Sequence, residues 1–254
     1  MRKTVALCFL VWNEEQGCEA DLPYVDRSIF DEVFAIDGGS TDGTVAVLRR
    51  YGVPVHRQRV RSLNAAYWQA VETSTCDCLV VFFPKGTISP AILPTFKAQL
   101  LSGHDLVIAS RMIQGSRNEE DSKWLKPRKW GVGALALCSS LLWRREGPII
   151  WDVLHGVKGF SKCAFYAMNP SRTGVTIDLE MAIRCYKLGL RRQEFPVIES
   201  PRAYGATKFR IFPTSVKLAR CLLAEMRNSA GRRPVITSTP DHAAVRSHVV
   251  PPDA

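Results

Sequence analysis

Long apolar runs are scarce in this chain of 254 residues. No stretch approaches the roughly 20 consecutive apolar residues that a helix needs to cross a hydrocarbon core, so any membrane attachment is expected to be peripheral or through another protein. Acidic residues are also in short supply, with 24 Asp and Glu against 34 Lys and Arg and a formal net charge of +10. The excess is spread along most of the chain, which favours polyanionic partners such as nucleotides or anionic lipid headgroups. Helix-turn-helix, zinc-finger and RNA-binding signatures are missing, so nucleic acid is not an expected partner. The eight cysteines (Cys8, Cys18, Cys76, Cys78, Cys138, Cys163, Cys185, Cys221) lack the paired spacing of a zinc site. Cys76 and Cys78 form only a C-x-C pair, and most of the others lie inside apolar runs, so we expect buried, reduced thiols and a cytoplasmic setting. Neither an internal repeat nor a low-complexity tract is present.

What is there is enough apolar material for one substantial core, 46% of the chain. The opening MRKTVALCFLVWNEE has two basic residues before an apolar run, but the run is short and ends in acidic residues without a cleavage site. It reads as a buried first strand rather than a secretory leader. The first half then alternates β-branched runs with helical patterns, the signature of a parallel sheet covered by helices. Strands are predicted at Val5 to Val11, Glu32 to Ile36, Val53 to Arg57, Cys78 to Phe83 and Asp105 to Ala109. Helices are predicted at Thr44 to Tyr51, closed by Gly52, and at Ser62 to Thr73, with Ser62 as N-cap. The segment Trp130 to Trp143, apolar nearly all round and flanked by Arg128, Lys129, Arg144 and Arg145, spans about 21 Å as a helix, too short to cross a bilayer. It is either a buried core helix or one lying in a membrane interface. A further helix is expected from Pro213 to Arg227, and a mobile tail from Ser229 onward.

Strand ends that run into acidic or Gly-rich turns place side chains and backbone donors at the carboxyl edge of a sheet, where ligands bind in open α/β folds. Two such ends occur early. One is Leu10, Val11, Trp12, Asn13, Glu14, Glu15; the other is Asp37, Gly38, Gly39, Ser40, Thr41, Asp42, Gly43, Thr44. A carboxylate at Asp37 can accept from the ring N–H of uracil or guanine. The same turn is also readable as a plain helix cap, with Thr41 or Asp42 capping.

In order and spacing these two strand ends resemble the opening of family 2 glycosyltransferases of the GT-A type, which carry an Asn-Glu pair after the first strand and an Asp-x-Gly-Ser-x-Asp-Gly-Thr turn after the second. The likeness continues to about residue 220. Ser110 and Arg111, then Gly115, are similar to the family's Ser-Arg strand end. Asp152 to Phe160 resembles the Asp-x-x-Ser-Gly-Phe-Arg segment of polyprenyl-phosphate sugar transferases, with His155 and Lys158 in the serine and arginine positions. Asp178, Leu179, Glu180, Gly189 and Glu194 to Val197 resemble the helix-Gly-strand unit that follows. Arg202, Gly205, Thr207 and Lys208 stand where dolichol-phosphate mannosyltransferase-like enzymes carry Arg-x-x-Gly-x-Ser-Lys.

The resemblance implies an α/β fold of the GT-A kind, Rossmann-like, with a mixed, mostly parallel sheet flanked by helices. It implies a catalytic domain over residues 1–210, an amphipathic helix over 211–228 and the tail over 229–254. Leu10, Trp12, Glu14, Asp37, Gly39, Ser40 and Arg111 would line the site of a nucleotide-diphosphate sugar, and Arg128, Lys158, Arg202 and Lys208 would meet the phosphate of a lipid acceptor. The implied reaction is transfer of a hexose to a polyprenyl phosphate or related acceptor with inversion, in the cytoplasm or peripherally on the inner face of an anionic membrane. Transfer to a glycan hydroxyl, or a catalytically silent nucleotide-sugar binder, are the alternatives.

In one place the sequence departs from the family. The Asp-x-Asp that normally ends the fourth strand and holds Mg2+ or Mn2+ is replaced by Phe83, Pro84, Lys85, so the usual ligands of a hard cation are absent. Lys85 either substitutes for that cation in stabilising the departing diphosphate or is an ordinary loop lysine. Asp152 and His155 are the candidates for base or for acceptor positioning.

Overall fold

A computed structural model of the chain describes residues 2–121, 124–201 and 211–229. β1 (Val5–Val11) is buried at all seven positions, and the reason is that both of its faces are covered. Ala6, Cys8 and Leu10 pack into the core on one side of the sheet, and Val5, Leu7, Phe9 and Val11 into the core on the other. β1 pairs in parallel with β2 (Glu32–Asp37) and β4 (Cys78–Phe82), and β2 pairs in parallel with β3 (Val55–Arg57). In the other half of the sheet β5 (Leu106–Ser110) and β7 (Arg192–Pro196) are parallel to each other, while β6 (Lys158–Ser161) runs antiparallel between β4 and β5. The order of the seven strands is β3-β2-β1-β4-β6-β5-β7. Because β6 reverses the direction twice, every other strand delivers its carboxyl end to the same edge.

Helices α1 (Glu15–Asp21), α2 (Thr44–Arg50) and α4 (Leu93–Leu101) cover one face. α3 (Leu63–Thr73), α6 (Lys162–Met168) and α7 (Ile177–Lys187) cover the other. α5 (Pro127–Trp143) and α8 (Ile211–Ser229) lie outside α7. The predicted N-cap of α3 is present, with the Ser62 hydroxyl accepting from the Ala65 amide at 3.1 Å. α8 is held on α7 by the buried Glu225, whose carboxylate accepts from Arg184 Nε at 2.8 Å and from Lys187 Nζ at 2.5 Å. Residues 230–254 of the expected tail lie outside the described residues.

Three expectations change. β6 was not anticipated, because its four residues, Lys-Gly-Phe-Ser, carry no β-branched run. The apolar helix α5 is not a buried core helix: only Ala136, Ser139 and Ser140 are buried, and Trp130, Leu137, Leu141 and Leu142 are exposed. The thiols are not uniformly buried either, since Cys138 on α5 and Cys163 on α6 face solvent. No helix among the described residues is long and apolar enough to cross a membrane.

The loop after β4 is wedged against α1. A Cβ added to Gly17 would stand 2.4 Å from the Pro84 carbonyl oxygen and 2.7 Å from Lys85 Cα, so only glycine permits this approach of helix to loop. Gly17→Ala is expected to cost about 1–3 kcal/mol through overpacking. At this chain length that is a fall in Tm of roughly 3–10 °C, read by thermal unfolding; an unchanged Tm would mean that the loop yields freely.

Candidate active site

The turns after β1 and β2 are laced together at the carboxyl edge. Asn13 has a positive φ of 51°, a conformation that asparagine tolerates better than most residues. Its amide donates to Ser40 Oγ at 2.8 Å, and its Oδ1 accepts from the Thr41 amide at 2.7 Å. The Glu14 amide donates to Thr44 Oγ1 at 2.8 Å, and Glu15 accepts from the Gly43 amide at 3.0 Å. Asp37 accepts from the amides of Gly39 and Ser40, each at 3.1 Å, and from the Ser40 hydroxyl at 2.5 Å. The Asp-x-Gly-Ser pattern is therefore a self-bonded turn in this protein, with Asp37 its clasp.

Alternation along the strands separates the expected donor-site residues. Asp37 follows Ala35 onto the face of β2 covered by α2, together with Val11, whereas Leu10 is buried in the core on the opposite face. A cavity of about 300 Å³ lined by Asp37, Ser40, Arg49 and Arg57 opens on the α2 side. Trp12, 36% exposed, lies toward Gly38, where a Cβ would be 3.2 Å from its own Cβ. Trp12 and Asp37 are thus brought to one edge but not to one wall. The sequence reading missed Arg61, whose guanidinium stacks 4.0 Å above the Trp12 ring. Its place in the loop between β3 and α3, at the same carboxyl edge, was the available signal.

Lys85 occupies the middle of the edge, in the loop between β4 and α4 that packs against α1. Its ammonium lies 4.8 Å from the Phe83 ring centroid, and Phe83 packs over Gly156. The loop is held by Asp21, another residue the sequence reading passed over. Asp21 is nearly fully buried and accepts from the Gly86 amide at 2.9 Å. Burial pushes its carboxyl up to about 6, against the pull of the backbone donors Gly86 and Lys85.

Arg111, Asp152 and His155 converge beneath the end of β5. Asp152 is wholly buried and takes the Arg111 guanidinium bidentately, Nε at 2.8 Å and Nη2 at 3.0 Å, and the Arg111 amide at 2.9 Å. Glu199 meets the same guanidinium at 3.3 Å, while Glu194 fixes Asp152 through its amide at 2.8 Å. Burial raises the Asp152 carboxyl, but the guanidinium outweighs it and holds the group at about 2. Burial, reinforced by Arg111, pushes the His155 imidazole down to about 3. His155 Nδ1 donates to the Ala109 carbonyl, so the neutral ring keeps its lone pair on Nε2.

Two expected phosphate contacts are placed elsewhere. Lys158 is fully buried in β6, its Nζ 2.7 Å from Asp178 Oδ1 but off hydrogen-bond alignment. It is a core ion pair and cannot present its charge to an acceptor. Arg128 is half-exposed at the start of α5 and paired with Glu119. Arg202 and Lys208 lie outside the described residues. At the metal position Phe83 and Lys85 offer no oxygen ligand, and no cluster of three His, Cys, Asp or Glu side chains among the described residues is arranged to hold an ion. The described residues at this position therefore supply none of the carboxylate oxygens that a hard divalent cation takes.

No protein-family profile matches the chain. Over 205 residues it is 28% identical to the glycosyltransferase AglJ of Haloferax volcanii, an overlap of 79% of this chain and 65% of that protein. The chain thus spans a little under two thirds of that relative. Among solved structures it is similar to glucosyl-3-phosphoglycerate synthase from Mycobacterium tuberculosis. The complex with Mn2+ and uridine-diphosphate-glucose superposes with a TM-score of 0.68 at 18% identity, covering 92% of this chain and 81% of the other. The complex with phosphoglyceric acid gives 0.65 at 19% identity, covering 92% and 82%. The fold is GT-A, with the mixed, mostly parallel sheet flanked by helices that such neighbours share.

The His155 shift has a signed consequence. The unfolded chain protonates this histidine below its ordinary value of 6.5, whereas the folded chain resists until about 3. Its contribution is intact above 6.5 and is lost as pH falls through that window, at about 1.4 kcal/mol per unit. Relative to wild type, His155→Gln is expected to gain Tm progressively on acidification below pH 6.5. A pH-independent difference in Tm would show that the imidazole is not held neutral.

Proposed function

We propose that this protein is a family 2 glycosyltransferase that moves a hexose from a nucleotide-diphosphate sugar to a polyprenyl phosphate or related lipid phosphate, with inversion, at the inner face of an anionic membrane. The observation that carries the reading is the meeting, at one edge of a GT-A sheet, of the Trp12–Glu14 turn, the Asp37-clasped turn and the cationic Lys85 loop. The likeness to AglJ supports sugar transfer, and the uridine-diphosphate-glucose complex of the structural neighbour supports a nucleotide-sugar donor.

The state of the two base candidates favours an acceptor that is already anionic. Asp152 is committed to Arg111 and held at about 2. His155, held at about 3, is a weak base at neutral pH. A sugar hydroxyl needs a positioned base to lose its proton, whereas the anionic oxygen of a lipid phosphate monoester attacks as it stands. Arg111 and Asp152 then act by holding the floor of the site rather than by moving protons.

Lys85 supplies the positive charge on the donor side. As the bond from sugar to diphosphate breaks, the leaving group gains negative charge, and a fixed ammonium on a loop clamped by Gly17 and Asp21 stabilises it without reorganising. The loss of both strand-end carboxylates equally motivates a second reading, a silent nucleotide-sugar binder.

Transfer from a panel of nucleotide sugars to a short-chain polyprenyl phosphate, with and without chelator, tests the reading. Activity is expected to survive chelation and to fall on the order of 10²–10³-fold in kcat for Lys85→Ala. Complete dependence on added manganese would overturn the role given to Lys85. Nucleotide binding without transfer to any acceptor would select the silent binder.

A further inference from the structure

We propose that α5 is the membrane-docking element, lying flat on an anionic bilayer with its outer stripe in the headgroup boundary. The inference deepens the lipid-acceptor reading and rests on it. Trp130, Ala134, Leu137, Cys138 and Leu141 recur at helical spacing on the exposed side of α5. Leu141 is 83% exposed and Trp130 58%. No charged residue interrupts the helix between Lys129 and Arg144. Just before it, Trp124 and Leu125 are also exposed. A contiguous apolar surface of this kind marks an interaction site.

Charge selects the occupant. Arg144 and Arg145 are exposed just past the end of the stripe, Arg128 at its start is paired with Glu119, and the chain carries +10 overall. An apolar stripe with exposed tryptophans at its start and exposed arginines just past its end suits a helix lying in the plane of an anionic interface. A second copy docking through the same stripe would bring like-charged arginine ends together. The inner side of α5 is anchored independently, by burial of Ala136, Ser139 and Ser140 and by Glu120, which accepts from the Lys129 amide at 3.1 Å. Met112, the neighbour of Arg111, reaches α5 beside Gly133, so a bilayer touching the stripe stands next to the site where a lipid phosphate is needed.

The two exposed cysteines provide the test, since Cys138 lies on the stripe and Cys163 on α6. Each is labelled singly with a polarity-sensitive fluorophore, in Cys163→Ser and Cys138→Ser backgrounds. The labelled proteins are mixed at low salt with phosphatidylcholine vesicles with or without phosphatidylglycerol. A blue shift is expected for the Cys138 label with phosphatidylglycerol, and none for the Cys163 label. In co-sedimentation of unlabelled protein, the Leu137→Asp/Leu141→Asp variant should bind these vesicles at least about tenfold more weakly, while Leu101→Asp, at an exposed leucine on α4, should not. No shift, equal shifts at both cysteines, or a Cys138 shift that grows with protein concentration without vesicles would overturn the proposal; the last would assign the stripe to a second copy. Transfer to short-chain polyprenyl phosphate in detergent fails separately: transfer without vesicle docking removes this inference and leaves the lipid-acceptor reading intact.

Discussion

Parallel pairing of β1 with β2 on one side and β4 on the other is the constraint from which the site follows. The register sets Val11 beside Asp37 and Phe9 beside Phe82, so the chain leaves all three strands within a residue or two of the same line. A one-residue slip would carry Leu7 and Phe9 from one core to the other and exchange the faces on which Asp37 and Trp12 emerge. Burial of both faces of β1 makes such a slip costly, because each core has its own set of side chains to lose. The position of the functional loops is therefore fixed by apolar packing that none of their own residues provides.

On that edge the electrostatic arrangement is inverted relative to a cation site. In the proposed reading, the charge of a divalent ion is supplied by a lysine whose loop is held from beneath by the Asp21 carboxylate. Asp21 is better suited to this than a surface acid, because its bonds run to the backbone of the loop and leave the lysine side chain to point elsewhere. Burial costs Asp21 part of its charge, with the group raised to about 6, and the amide donors recover some of that cost. Across the edge, Arg111 and Asp152 neutralise each other in a dry setting where either alone would be expensive.

Much of the fold could be read from the residues because its strands are covered on both sides and so appear as continuous apolar runs. β1 begins and ends where the hydrophobic run does, and the Ser62 cap announces α3. β6 could not be read in this way: a lysine at its first position looks solvated unless its partner Asp178, far along the chain, is known to sit 2.7 Å away. The same blindness made Lys158 resemble a phosphate ligand. At the site, the self-bonded turn at Asp37 was visible as a pattern but its direction was not, since the face of a strand end depends on register. Asp21 and Arg61 carry no local motif at all; their roles exist only because a loop and a tryptophan from distant segments come to rest on them.

The acceptor, the cation and α5 are linked by one electrostatic argument. In the proposed reading, a site with Lys85 on the donor side and with Asp152 tied to Arg111 is poor at taking protons through Asp152 and suited to holding anions. The substrate that such a site serves best brings its negative charge with it. When that charge is a phosphate on a lipid, the reacting group sits at headgroup level and cannot diffuse into a cleft far from the surface. The protein must then bring its sheet edge to the bilayer. The segment that adjoins Arg111, through Met112, leads into a helix whose outward face is apolar from Trp130 to Leu142 and bracketed by arginine. Under the proposed function, the cationic loop at the sheet edge and the apolar, basic-ended helix beside it answer the same demand, that chemistry occur on a charged group anchored in a membrane.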